Sequence, residues 1–149
     1  MTMYYTLLDA ICSANQIETG KQKQEYLQHL RDPARELWKA YQTQNISISY
    51  SKHEYQAVYL LRYFFPYSKL VPYVLNRLIA KDFPVRLEDE LLTASFFGCG
   101  PGPELYGLMD YLGDPKSGVA MISAAMLDIA SSDWQYSREI VSEHLLNHV

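Results

Sequence analysis

Leu91-Leu92-Thr93-Ala94-Ser95-Phe96-Phe97-Gly98-Cys99-Gly100-Pro101-Gly102-Pro103-Glu104-Leu105 joins an apolar run, a glycine- and proline-rich turn and the opening of a helix. An apolar run of this length bounded by glycine predicts a buried strand over Leu91–Phe97. The glycines allow a tight turn and a close approach of backbone to a ligand. The helix that follows offers free N–H groups and a partial positive charge at its first turn. A strand, a glycine turn and a helix in that order mark the carboxyl end of a strand in an α/β sheet, where ligands bind.

Reading onward, Leu105, Leu108, Met109 and Leu112 continue at helical spacing over 103–112. Gly113-Asp114-Pro115-Lys116-Ser117-Gly118 is a turn-rich loop. A second apolar run, Val119–Leu127, ends at Asp128, and a helix from Trp134 to about Asn147 turns Trp134, Ile140, Val141 and Leu145 inward. This strand–helix–strand–helix alternation predicts a parallel sheet with right-handed crossovers.

Reading backward, the chain is helical. Met3, Tyr4, Leu7, Leu8 and Ile11 predict a helix over 3–17 with Gly20 as its stop, and Leu27 and Leu30 share a face over 21–31. Asp32-Pro33 reads as an N-cap and first-turn proline, and Gln42–Ser51 as a loop. A helix over 52–65 should end at Pro66. Another, capped by Ser68, runs to about Lys81 with Pro72 near its start, and 82–90 is a connector. The fold expected is α/β: a helical N-terminal region, 1–83, followed by the first β-α-β-α units of a Rossmann-like parallel sheet, 84–149. No internal repeat or low-complexity segment interrupts it.

The 149 residues suit one domain or two small ones. The 13 cationic and 17 acidic residues give a net charge of −4, which does not indicate general nucleic-acid binding yet leaves room for a local basic patch. Two cysteines far apart cannot form a disulfide framework and fit a reducing, cytoplasmic location. No run of about 18 apolar residues is present, so no membrane span is expected, and no signal peptide is read.

Asp128 completes the motif. An acid at the tip of the second strand of such a unit accepts hydrogen bonds from ribose hydroxyls, so the glycine turn and Asp128 together describe a nucleoside-containing ligand. The dinucleotide fingerprint fits less well. Its third glycine falls on Pro103, and Asp128 follows Gly98 by 30 positions where about 20 are usual.

Phe97-Gly98-Cys99-Gly100-Pro101-Gly102 resembles the first motif of class I S-adenosylmethionine-dependent methyltransferases, and Leu127-Asp128-Ile129 their second. The resemblance spans roughly residues 90–146. It implies S-adenosyl-L-methionine as cofactor, with Gly98, Cys99, Gly100, Gly102, Asp128 and Ile129 at its site and Asp128 on the ribose. The family usually carries an acid two positions before the first glycine, where this chain has Phe96. The family's sheet also has more strands than the two read here, so the resemblance implies the first part of a methyltransferase, apparently truncated. Tyr59-Leu60-Leu61-Arg62-Tyr63-Phe64-Phe65-Pro66-Tyr67 is similar to the helix ahead of the cofactor motif in methyltransferase-like proteins of the mitochondrial small ribosomal subunit. That likeness would aim Arg62 or Tyr59 at the cofactor carboxylate.

The function expected is therefore methyl transfer from S-adenosylmethionine, or a fragment or relative of such an enzyme. The alternatives are a non-catalytic binding or assembly module that keeps the loop as architecture, and another nucleotide-binding Rossmann enzyme. The sequence encodes neither a recognisable catalytic base nor the identity of the methyl acceptor. Self-association through unpaired strand edges, or a missing C-terminal half, is expected of so small a sheet. Cys99 has no histidine near it in sequence to make it a nucleophile. Glu104 in a first helical turn stabilises the helix dipole or meets a ligand. Tyr55, Tyr59, Tyr63 and Tyr67, spaced by four, form a core stripe or a stacking surface. His144 and His148 lack the partners of a metal site.

Overall fold

The computed structural model describes residues 3–43, 48–79, 91–113 and 119–146. Helices α1 (Met3–Ala14), α2 (Gly20–His29), α3 (Arg31–Thr43) and α4 (His53–Tyr59) lead into a π-helical turn, Leu60–Phe64, and then α5 (Phe65–Ile79). Strand β1 (Leu91–Phe97), helix α6 (Pro103–Leu112), strand β2 (Met121–Leu127) and helix α7 (Gln135–His144) complete it. The fold is mixed α/β, mostly helical, with a two-stranded parallel sheet. The connector 82–90, the loop 114–118 and His148 lie outside the described residues.

Local chemistry explains most boundaries. Thr19 caps α2 in a capping box with Gln22: the Gln22 N–H donates to Thr19 Oγ1 (3.2 Å) and the Thr19 N–H to Gln22 Oε1 (2.9 Å). Gly20 therefore opens a helix and does not close one, because the cap on the residue just before it outweighs glycine's poor propensity. Asp32 is not a cap either. It lies in the first turn of α3, accepting from Arg35 Nη1 at 3.0 Å, where its charge opposes the dipole's positive end.

Pro66 does not end its helix. A proline ring crowds the carbonyl four residues back and removes one hydrogen bond. Here the π-helical turn over Leu60–Phe64 immediately precedes it and widens the backbone at that place. The helical path then runs unbroken from α4 through α5, with Pro72 inside it.

One core joins the two ends of the chain. Leu7, Ile11, Leu37, Ala57, Leu60 and Phe64 pack in the same cluster as Trp134, Ile140, Val141 and Leu145. Gln56, fully buried, stitches them. Its Nε2 donates to Tyr50 O (2.8 Å) and Asp133 O (2.5 Å), and its Oε1 accepts from the Ser137 N–H (2.9 Å).

The strands pair in register from Leu91↔Met121 to Phe97↔Leu127. They are not buried as their composition predicts. Leu92, Ala94, Phe96, Ile122 and Met126 are partly covered; Ile122 lines a groove with Leu105, Met109 and Leu112 of α6, and Met126 lies against Gly102. The opposite face is open, with Phe97 79%, Met121 63% and Leu127 50% exposed. No described helix of the chain is long and apolar enough to cross a membrane.

Candidate functional site

The glycine turn closes against the end of β2. The Gly98 N–H donates to Leu127 O (2.7 Å) and the Gly102 N–H to Cys99 O (2.8 Å). Gly98, Gly100 and Gly102 all have positive φ, at 64°, 49° and 87°, a region that L side chains adopt only under strain. Each glycine has a different neighbour. A Cβ on Gly100 would stand 3.2 Å from the Trp134 indole, and one on Gly102 2.7 Å from Met126 Cε, whereas Gly98 faces open space. Gly102 then serves as the cap of α6, with Pro103 at its first position.

Asp128 ties this turn to the next. Its Oδ2 accepts from the Gly100 N–H and its Oδ1 from the Ala130 N–H, both at 2.8 Å. Arg138, from α7, braces the same turn: Nε donates to Gly100 O at 2.9 Å and Nη1 to Ser131 Oγ at 2.8 Å. Its other terminal nitrogen is buried without a partner. Nothing in the sequence points to Arg138, since an arginine on an amphipathic helix gives no sign that it will reach a loop 38 positions away.

Glu104 is half-buried in the first turn of α6, and its Oε2 is buried with no hydrogen-bond partner. Burial holds this carboxyl above the usual range, partly offset by a backbone N–H. Cys99 is buried, its thiol 3.9 Å from Leu127 O and raised by burial. That leaves it a packed side chain, without the lowered pKa of a reactive thiolate.

An aromatic wall flanks the turn. Trp134 stacks on Tyr50 (ring centroids 4.0 Å) and meets Tyr59 edge-on at 5.0 Å. Tyr59 continues to Tyr63 and Tyr67, at 5.8 and 6.3 Å. Burial, then the neighbouring Glu104 and more weakly Asp128, raises the Tyr59 hydroxyl and keeps it protonated. Tyr41 and Tyr50 share a hydroxyl–hydroxyl bond of 2.9 Å. Of the tyrosine stripe, Tyr59 is buried, while Tyr55, Tyr63 and Tyr67 pack partly buried against the core.

The structure thus gathers Gly98, Cys99, Gly100, Gly102 and Asp128 at one place, with Tyr59 and Glu104 beside them. Ile129 follows Asp128 with its side chain fully exposed. Arg62 is exposed in the π-helical turn and lines a groove with Arg31, Ala34, Arg35 and Trp38 of α3, none of them part of the glycine turn. Among the described residues, no three His, Cys, Asp or Glu side chains gather as a metal site. No family model, curated protein or solved structure matches the chain.

Proposed function

We propose that this chain binds S-adenosylmethionine in a Rossmann-like manner at the glycine turn, as class I methyltransferases do. One observation carries this reading. Three glycines of positive φ and an acid stand at the neighbouring carboxyl ends of two parallel strands, and the Gly100 N–H donates to the acid, Asp128.

The residues fit such a cofactor. Gly98 leaves open space where a side chain would stand, so a ligand can approach the backbone there. A carboxylate offers about four acceptor positions, so the two backbone bonds to Asp128 leave it capacity for ribose hydroxyls. Glu104 and Asp128, with Tyr50, Tyr59 and Trp134 nearby, make surroundings suited to a cation. Tyr59 lies beside the loop and is the better placed of the pair Arg62 and Tyr59. When bound, the cofactor supplies an activated methyl group on a positively charged sulfur. The chain's part is to hold and orient it and to keep water from one side with the Trp134 wall.

A second reading has its own observation. Both Asp128 oxygens already serve backbone N–H groups, which favours the loop as architecture in a non-catalytic module. Calorimetry with S-adenosylmethionine and S-adenosylhomocysteine separates them. The expected result is binding by the wild type, weakened about tenfold in Asp128→Asn, the loss of one charge-assisted hydrogen bond. Gly98→Asn, a side chain that tolerates positive φ, should weaken it as well, with circular dichroism matched. Binding of a nicotinamide dinucleotide in its place would overturn the assignment, and no binding at millimolar ligand would leave the architectural reading standing.

A further inference from the structure

A groove of about 390 Å³ lies between α3 and the π-helical turn, lined by Arg31, Ala34, Arg35, Trp38 and Arg62. Positions 31, 34, 35 and 38 recur at helical spacing, so they form one face of α3. The contact of Tyr41 with Tyr63, at 5.0 Å between ring centroids, holds the π-helical turn against α3 and brings Arg62 to that face.

The charge here runs against the rest of the molecule. The chain carries a net charge of −4, yet three guanidinium groups share this groove. Arg31 and Arg35 are one turn apart, a like-charge spacing that costs helix stability. Asp32 offsets only one of them, pairing with Arg35 at 3.0 Å on the surface. The side chains of Arg31 and Arg62 have no ion pair or hydrogen bond among the described residues. Beside them Trp38, one of two tryptophans in the chain, is 48% exposed, although its indole is among the most favourable side chains to bury.

Each component has a chemical counterpart. Guanidinium groups present planar forks that match phosphate oxygens in pairs. An exposed indole stacks on flat rings, and base stacking on aromatic side chains is a general mode of nucleotide capture. An acidic peptide would satisfy the arginines and leave the indole uncovered. We propose that this groove binds a nucleoside phosphate, with Arg31 and Arg62 on the phosphate and Trp38 under the base. The ligand is a free nucleotide or a nucleotide of a single strand, since both carry the same chemistry. The site is independent of the glycine turn, and S-adenosylmethionine, which has no phosphate, is not its ligand.

The test is calorimetry on the full chain with adenosine 5′-monophosphate, adenosine, inorganic phosphate and a short single-stranded RNA. The variants are Arg31→Gln/Arg62→Gln and Trp38→Leu. All three side chains are exposed, so the variants should fold, which circular dichroism checks. The expected result is that the monophosphate binds at least about tenfold more tightly than adenosine or phosphate alone, and that both variants weaken it by a similar factor. RNA binding tighter than the monophosphate, and lost in the same variants, identifies a strand as the source; RNA binding no tighter than the monophosphate identifies the free nucleotide. The proposal is overturned if neither the monophosphate nor the RNA binds at millimolar concentration. It is equally overturned if phosphate alone binds as tightly as the monophosphate, or if both variants bind like wild type.

Discussion

Glu104 has one carboxyl oxygen sealed from water and unpaired, and this makes its protonation a stability matter. In the unfolded chain it ionises in the ordinary range, whereas in the folded chain burial keeps the proton on to higher pH. The stability this provides is complete below the unfolded pKa and is lost as pH rises from there through the folded value. Glu104→Gln removes that dependence. Between about pH 4 and pH 7, the urea midpoint of wild type should fall relative to that of the variant. Parallel midpoints across this interval would show that Glu104 ionises in the folded state at no cost. The spacing of the motif alone makes it legible that Gly98, Gly100, Gly102 and Asp128 come together. What Asp128 bonds was not legible, because its two backbone partners depend on the φ of Gly100 and on the turn at Ala130, and neither follows from residue type alone.

The packing of α5 against α6 rests on two residues that usually weaken helices. Pro72 has no N–H, so the Ser68 carbonyl four residues before it receives no helical bond from that position. The same carbonyl faces Gly107 of α6, where a Cβ would stand only 2.1 Å from the Ser68 oxygen. Neither backbone can yield as a side-chain tip can. Gly107→Ala should destabilise the fold by about 3 kcal/mol, the upper part of the range for overpacking, read as a lower urea midpoint at unchanged slope. An unchanged midpoint would place the two helices further apart. The sequence marked these elements unevenly. The bounds expected for β1 and α6 agree with those observed because their glycine and proline punctuation is strong and local. The break expected at Pro66 fails because proline's cost is met by a π-helical turn, and nothing in Leu60–Phe64 announces one.

At the scale of the molecule, the buried core and the sheet are differently protected. The core draws side chains from α1, α3, α4 and α7 around Gln56. Among the described residues the sheet has two strands, each paired on one edge only, and a face on which Phe97, Met121 and Leu127 are exposed. Local openings of so thin a sheet require little free energy. Amides of Met121–Leu127 should therefore exchange with deuterium well before those of Leu7–Cys12 in dilute protein. Equal protection in both segments would mean that the sheet opens only with the whole fold. An apolar run alone could not reveal this, since the same residues that fill a buried strand also make an exposed one.

The π-helical turn has a consequence for how these two parts are joined. A helix advances about 100° per residue, so one extra residue in a turn rotates everything after it by that amount. Tyr59 and Tyr67, eight positions apart and separated by about 12 Å of rise in a regular helix, keep their rings within 6.3 Å of each other. Beyond the turn, Ser68 arrives facing Gly107. Without the added residue the same carbonyl would point about a quarter of a circle away, and α6, with the sheet behind it, would have to swing round the helix axis to follow. The azimuth of the sheet about the helical half is thus set like the phase of a screw thread, by a single residue's worth of winding.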